Sequence, residues 1–407
     1  MSLTQRFPVG DPVEAEALVS QLRAEPPGGR LTVGDLRIVE FVTKFARKLL
    51  APATARRFPE LASLGFFLRK GEIARALSTL DGLWFPRGLV FHVPPANVDT
   101  IFVYSWALSA LAGNHNVVRV SSRSAGAAEA VLDALNAALS EVDSTTAATV
   151  AATQRMVTYD RSDVVSGALS LAADLRVIWG GDASVAALRQ YPLAPHARDL
   201  TFPDRSSFAI VSVDGWHRAS EAERRTAAEG FYNDSYWFDQ AACSSPRAVF
   251  WVGEDRGAEA EFRTLLADVL KAKQHVTEPA MAVQKRVSAY GAAADGAVTA
   301  IEFGSGDGLA TLELTGPEAL PREWLGAGTF ATARVGSLAD LVPIVVRKDQ
   351  TVSQFGFTEA ELVEFVTALA GRGVDRVVPF GSALTFSAVW DGYDLLAEFS
   401  RRVTVKA

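Results

Sequence analysis

The chain has 407 residues, 49% of them hydrophobic and 21% charged, with a net charge of −7. That length allows a large core and two or three domains, while the acidic balance excludes general nucleic-acid affinity, which needs basic patches to displace counterions. A single cysteine excludes an internal disulfide and suits a reducing cytoplasm.

The first thirty residues are polar, acidic and broken by Pro and Gly, without the apolar core of a signal peptide. Residues 14–80 carry a mainly helical pattern, interrupted by PPGG (26–29) and FPELASLG (58–65). From residue 88 the pattern changes. GLVFHVP (88–94), NVVRVS (116–121), RMVTYD (155–160), LRVIWG (175–180) and FAIVSVD (208–214) read as strands, with helix-like segments between them. The longest apolar stretch, IFVYSWALSALAG (101–113), is too short to span a bilayer and predicts a buried helix. A second series follows: a helix-like stretch 219–238, strands at 248–253, 298–303 and 310–315, and a helix over 258–272. VSQFGF (352–357), a helix at 358–371 and RVVPFG (376–381) close it. Apolar, β-branched strands alternating with helices predict an α/β fold with parallel sheets covered on both faces. The boundary near 206–218 carries no linker composition.

Neither GxGxxG nor Walker A is present. Three loops nonetheless lie at the carboxyl ends of predicted strands, where open α/β sheets bind ligands. These are Pro94–Pro95–Ala96–Asn97, the Ser121–Ser122–Arg123–Ser124 loop after Arg119, and Gly180–Gly181–Asp182, which opens a helix and offers N–H groups to a phosphate. Together they predict a nucleotide site. Cys243 sits in DQAACSSPRAV (239–249), a turn of small and polar residues, whereas a structural cysteine usually lies in an apolar run. Such turns on a rigid scaffold are where chemistry is placed. The five histidines, His92, His115, His196, His217 and His275, have no metal-ligand spacing, and His92 reads as a core residue.

Four ordered segments carry a resemblance: VPPANVDTIFVYSWALSALAGNHNVVRVSSR (93–123), VIWGGD (177–182), DQAACSSPRAVFWVG (239–253) and RVVPFGSALTFSAVWDGYDLL (376–396). The chain resembles the LuxC-type acyl-CoA reductases, distant members of the aldehyde dehydrogenase superfamily, over roughly residues 35–400. The resemblance implies an aldehyde dehydrogenase-like architecture. A mainly helical region 1–80 and a Rossmann-type NADP-binding domain 81–207 would precede a catalytic domain 208–378. Residues 379–407 would return to the cofactor domain or to an oligomer interface. It further implies NADPH-dependent reduction of an acyl-CoA or acyl-carrier-protein thioester to the aldehyde through an acyl-cysteine. A homo-oligomer served by an acyl-activating or acyl-transfer enzyme is expected on the same ground.

Residue by residue, Cys243 matches the superfamily nucleophile, and a thiolate exchanges readily with a thioester. Asn97 matches the asparagine of the "PWN" motif, whose amide faces the developing oxyanion together with the Cys243 N–H; a helix cap is the other reading of this Asn. Pro94, Pro95, Ala96, Gly180, Gly181 and Asp182 fall in cofactor loops. The ribose-contacting lysine of many relatives aligns with Val120, and Arg119, Ser121, Ser122 and Arg123 around it suit a 2′-phosphate. The glutamate that activates water in aldehyde-oxidising relatives aligns near Thr201, and DLTFPDRSSFAIV (199–211) contains no Glu. Asp199 and Asp204 are the other candidates for that base. Two further readings stand beside the reductase: an NAD(P)-dependent aldehyde dehydrogenase, and a non-catalytic subunit that only binds acyl thioesters.

Overall fold

A computed structural model describes residues 2–95, 101–122 and 126–406. The chain forms two compact units, residues 1–203 with 386–407, and residues 204–385. The α/β class expected from the strand–helix alternation is the observed one in both.

In the first unit the strands are β1 (Ser2–Phe7), β2 (Val9–Glu14), β3 (Leu83–Pro86), β4 (Leu89–Val93), β5 (His115–Arg119), β6 (Gln154–Thr158), β7 (Leu175–Trp179) and β8 (Arg198–Phe202). Seven of them make one sheet in the order β2-β1-β6-β5-β4-β7-β8. β6, β5, β4, β7 and β8 run parallel, whereas β1 is antiparallel to both β2 and β6. From β4 the chain builds outward through β5 to β6, then crosses back to place β7 on the other side of β4. That reversal is the switch point at which doubly wound sheets open a crevice. Every residue of β4 and of β7 is buried, as a strand covered on both faces requires. The helix Ile101–Leu111 carries no charged residue, and its described side chains are buried all round. Among the described residues no helix is long and apolar enough to cross a membrane.

The hairpin β1–β2 and the edge strand β8 are absent from the sequence reading. In β1 only Leu3 and Phe7 are buried, and β2 has no buried residue at all, so neither shows an apolar run. β2 is polar because, as an edge strand, it has one side facing water, and β1 beside it keeps only two residues inside. Residues 386–407 join the first unit: the strand Ser400–Val403 pairs with β3, the Tyr104 hydroxyl donates to the Ser387 carbonyl, and Asn114 Nδ2 donates to the Phe399 carbonyl at 2.8 Å.

Beneath β4 lies a closed polar network in an otherwise apolar core. His92 Nε2 donates to Asn116 Oδ1 (2.9 Å) and Nδ1 accepts from Ser105 Oγ (3.0 Å), which fixes the neutral tautomer. Asn116 Nδ2 and Trp106 Nε1 both donate to Gln154 Oε1. Burial pushes the His92 pKa down to about 4. The folded state therefore binds this proton more weakly than the unfolded chain, whose histidine titrates near 6.5. The stabilisation is full above about 6.5 and is lost as pH falls toward 4, an effect of roughly 3 kcal/mol. Urea unfolding at neutral pH and near pH 4 should show this loss in the natural protein and a smaller one in His92→Gln; equal losses would remove His92 from the acid sensitivity.

In the second unit the strands are β9 (Ser206–Ser212), β10 (Pro246–Val252), β11 (Val298–Phe303), β12 (Ala310–Leu314), β13 (Thr329–Val335), β14 (Asp349–Phe355) and β15 (Arg376–Pro379). Their order is β11-β12-β13-β10-β9-β14-β15, parallel except for β11. Alternation along β9 and β10 feeds two cores. Phe208, Ile210 and Phe250 join one with Phe365, while Val211, Val249 and Trp251 join the other with Trp216, Phe231 and Phe262.

Candidate active site

Cys243 is half-buried and lies between the helix Glu221–Tyr236 and β10. Because it precedes β10, it stands at the amino edge of the central parallel strands. It occupies a tight turn closed by the Ser245 N–H donating to the Ala242 carbonyl (3.0 Å). Asp239 and Gln240, just upstream, both have left-handed backbones (φ 49° and 59°), a conformation that side-chain-bearing residues adopt only when something holds them. The buried Gln240 amide supplies the hold. Its Nε2 donates to the Pro246 carbonyl (2.7 Å) and the Thr329 carbonyl (3.1 Å), and its Oε1 accepts the Thr329 N–H (3.2 Å).

Two hydroxyls fix the other side of the turn. Ser207 Oγ donates to the Cys243 carbonyl (2.7 Å) and accepts the Thr351 N–H, joining the turn to the starts of β9 and β14. Ser245 Oγ donates to the Asp234 carbonyl (2.7 Å). The Asp234 carboxylate in turn accepts the N–H groups of Gly381 (2.8 Å) and Ala383 (2.9 Å), and burial pushes its pKa up to about 7 against those donors. Gly230 and Gly381 approach so closely that a Cβ on Gly230 would meet backbone at 2.9 Å. None of Gln240, Ser207, Ser245 or Asp234 stands out in the sequence, because each acts through main-chain groups brought from distant positions. The Asp–Gln pair beside the cysteine is the one local signal, since Asp tolerates a left-handed backbone.

In the first unit, the structure brings the three predicted loops to the carboxyl ends of adjacent strands: Pro94 and Pro95 after β4, Ser121 and Ser122 after β5, and Gly180 to Asp182 after β7. Ala96, Asn97 and Arg123 lie outside the described residues. Gly180 has φ 158°, and Gly181 caps the helix Asp182–Arg189 with no side-chain hydrogen bond. A Cβ on Gly181 would meet nothing within 4 Å, so the backbone can be approached closely there, while the Gly180 N–H donates to the Phe202 carbonyl (3.1 Å). Val120 is buried (1% exposed) and its side chain belongs to the core, so contacts at this loop fall to its neighbours. The Arg119 guanidinium lies 4.7 Å from the Tyr159 ring centroid, which holds it in place.

Thr201 lies in β8, paired with Ile178 of β7. Asp199 is bound through both oxygens to the buried Arg176 (2.7 and 3.0 Å), and Asp204 pairs with Lys348 (2.9 Å). Beside Thr201, Phe202 stacks on Trp179 with ring centroids 3.6 Å apart.

A family model described as acyl-CoA reductase (LuxC) matches residues 81–295. A long-chain acyl-protein thioester reductase of Aliivibrio fischeri is 23% identical over 304 residues, covering 73% of this chain and 59% of that protein. The one from Photorhabdus laumondii is 24% identical over 327 residues, covering 79% and 63%. The chain thus spans about three-fifths of the length of these relatives. Among solved structures, an NAD-dependent aldehyde dehydrogenase from Sinorhizobium meliloti superposes with a TM-score of 0.68 at 13% identity, covering 98% of this chain and 90% of that one. A putative aldehyde dehydrogenase from Burkholderia cenocepacia gives 0.66 at 14% identity, covering 98% and 94%. These likenesses establish the aldehyde dehydrogenase-like fold.

The geometry around Cys243 yields a stability prediction. Gln240→Ala removes three buried hydrogen bonds to main-chain groups and relaxes a strained turn, so unfolding free energy should fall by about 3 kcal/mol. A denaturant midpoint equal to that of the natural protein would mean that the turn holds itself.

Proposed function

The chain belongs to the LuxC family of acyl-CoA reductases, and on that premise we propose that it reduces a long-chain acyl thioester to the aldehyde with NADPH, through an acyl group carried on Cys243. The observation that carries this reading is the turn itself: the chain's one cysteine, half-buried, on a strained segment pinned to four strands and a helix. In the first step the Cys243 sulfur bonds to the thioester carbonyl carbon. The tetrahedral adduct collapses by breaking the bond to the departing thiol, which leaves with the electron pair. Asn97 is the proposed side-chain donor to the oxyanion, a role supported by its match to the superfamily motif.

The segment that aligns with the water-activating glutamate of aldehyde-oxidising relatives supports reduction over hydrolysis: it contains no Glu, Thr201 has no basic function, and Asp199 and Asp204 are paired with Arg176 and Lys348.

The loops at the switch point fit a nicotinamide dinucleotide by the chemistry of their donors. The Gly181 N–H, at the amino end of the helix Asp182–Arg189, suits a pyrophosphate. The exposed Asp182 carboxylate suits a hydroxyl better than a phosphate. Arg119, Ser121, Ser122 and Arg123 offer cationic and hydroxyl donors for a 2′-phosphate, the basis for NADPH over NADH. When bound, the cofactor supplies the hydride. The substrate, as an acyl group on CoA or on a protein, is proposed from the names of the relatives.

Incubation with palmitoyl-CoA and no cofactor should leave one acyl group on the protein by mass, and NADPH should then discharge it as hexadecanal. Cys243→Ala should carry none; an adduct that persists in the folded variant would rule out this covalent route. Replacing Arg119 and Arg123 together by alanine should weaken NADPH binding by at least about tenfold and NADH binding far less. Equal losses by calorimetry would reduce the arginines to general charge.

A further inference from the structure

In the second unit the helix Pro279–Ala294 carries its polarity reversed. Its Lys285 is buried (1% exposed), whereas Val283, Val287 and Tyr290 are 63%, 63% and 59% exposed. A surface helix ordinarily turns charged residues to water and apolar ones to the core. The orientation is fixed from within. The Lys285 ammonium donates to the Asp307 carbonyl, the Met281 sulfur accepts the Ala327 N–H (3.2 Å), and Ala289 joins the apolar core with Leu312 and Leu314. Gly326 packs so closely against the helix that a Cβ on it would meet Lys285 Cγ at 2.8 Å. Rotating the helix to hide its valines would break all of these contacts.

The outward residues form a seam. Ala280, Val283, Val287, Tyr290 and Ala294 are all exposed and follow one another at alternating steps of three and four. That spacing averages 3.5 residues, the repeat of a seam that packs against another helix. Gln284 and Gly291, exposed beside it, are uncharged. Arg286, on its flank, is already paired with Asp307 (2.7 Å) and lies over the Phe303 ring. A charged partner would find no counter-charge on this seam, whereas an equally uncharged helix would meet no desolvated charge. The seam is also close to symmetrical in size about Val287, with an alanine at each end and larger side chains between.

We infer that this seam is an interface between two copies of the chain, which pair their Pro279–Ala294 helices antiparallel about a two-fold axis at Val287. Val283 then meets the partner's Tyr290, Ala280 meets the partner's Ala294, and the two helix dipoles run in opposite directions. Two such seams bury on the order of 1,000 Å² in total, at the threshold of a specific interface and below that of permanent complexes. The pair is therefore weak and concentration-dependent. It is independent of the chemistry proposed for Cys243.

Sedimentation velocity on the full chain, from about 1 to about 200 micromolar, should show monomer giving way to dimer with a micromolar Kd. Val287→Glu sets like charges against each other across the axis and should weaken the pair at least about 100-fold. Its melting temperature should not change, because residue 287 faces solvent in the single chain. Val283→Lys and Tyr290→Glu should each lose the dimer alone. An equimolar mixture of the two should recover it, because antiparallel pairing sets the ammonium of one copy against the carboxylate of the other. A chain that stays monomeric across the whole range would leave the seam to a different partner and overturn the inference. A dimer untouched by Val287→Glu would lie on another face and overturn it as well. Loss of the dimer in both single variants with no recovery in the mixture would overturn the antiparallel pairing.

Discussion

Two consecutive left-handed residues, Asp239 and Gln240, aim the chain into the Cys243 turn, and that backbone costs on the order of 1–2 kcal/mol per residue. It persists because the Gln240 amide joins the starts of β10 and β13 through three hydrogen bonds to their main-chain groups. Ser207 adds the starts of β9 and β14, and Ser245 adds the helix Glu221–Tyr236. The proposed nucleophile is therefore fixed by strands whose own geometry is set by two apolar cores. A side chain that must meet a carbonyl carbon within a fraction of an ångström gains rate from such fixation.

The first unit solves a different problem. Parallel strands buried on both faces need apolar side chains, yet β4 and β5 carry His92 and Asn116 into the core. Those polar groups are acceptable because Ser105, Ser109, Trp106 and Gln154 complete their hydrogen bonds. The same network reaches Asn114, whose amide ties the returning C-terminal segment through the Phe399 carbonyl and accepts the Arg87 N–H (2.8 Å). The strands β4 and β5, whose carboxyl ends carry two of the proposed cofactor loops, are thus braced by a buried hydrogen-bond network.

Much of this architecture is legible in the sequence because buried parallel strands announce themselves: LRVIW and HNVVR are short β-rich runs flanked by helix-forming segments. The edge strands β2 and β8, and β1 beside β2, give no such signal, since much of each faces water or an ion pair such as Arg176–Asp199. The same split holds at the site. Cys243 is conspicuous by being single and by its polar setting, and the Gly180–Gly181 loop by composition. Gln240, Ser207 and Asp234 are invisible, because their meaning comes from carbonyls and N–H groups that lie up to more than a hundred residues away in the chain. Val120, read only as an aligned position, turns out to be core, which shifts the contact question to the residues on either side of it.

The central claim is that an acyl group on Cys243 is resolved by hydride rather than by water. The direct measurement supplies an acyl thioester and NADPH deuterated at the transferable position, in water enriched with heavy oxygen, and identifies the products by mass. The account predicts an aldehyde with one deuterium on its formyl carbon and essentially no acid. A carboxylic acid carrying solvent oxygen, with no deuterated aldehyde, would contradict it.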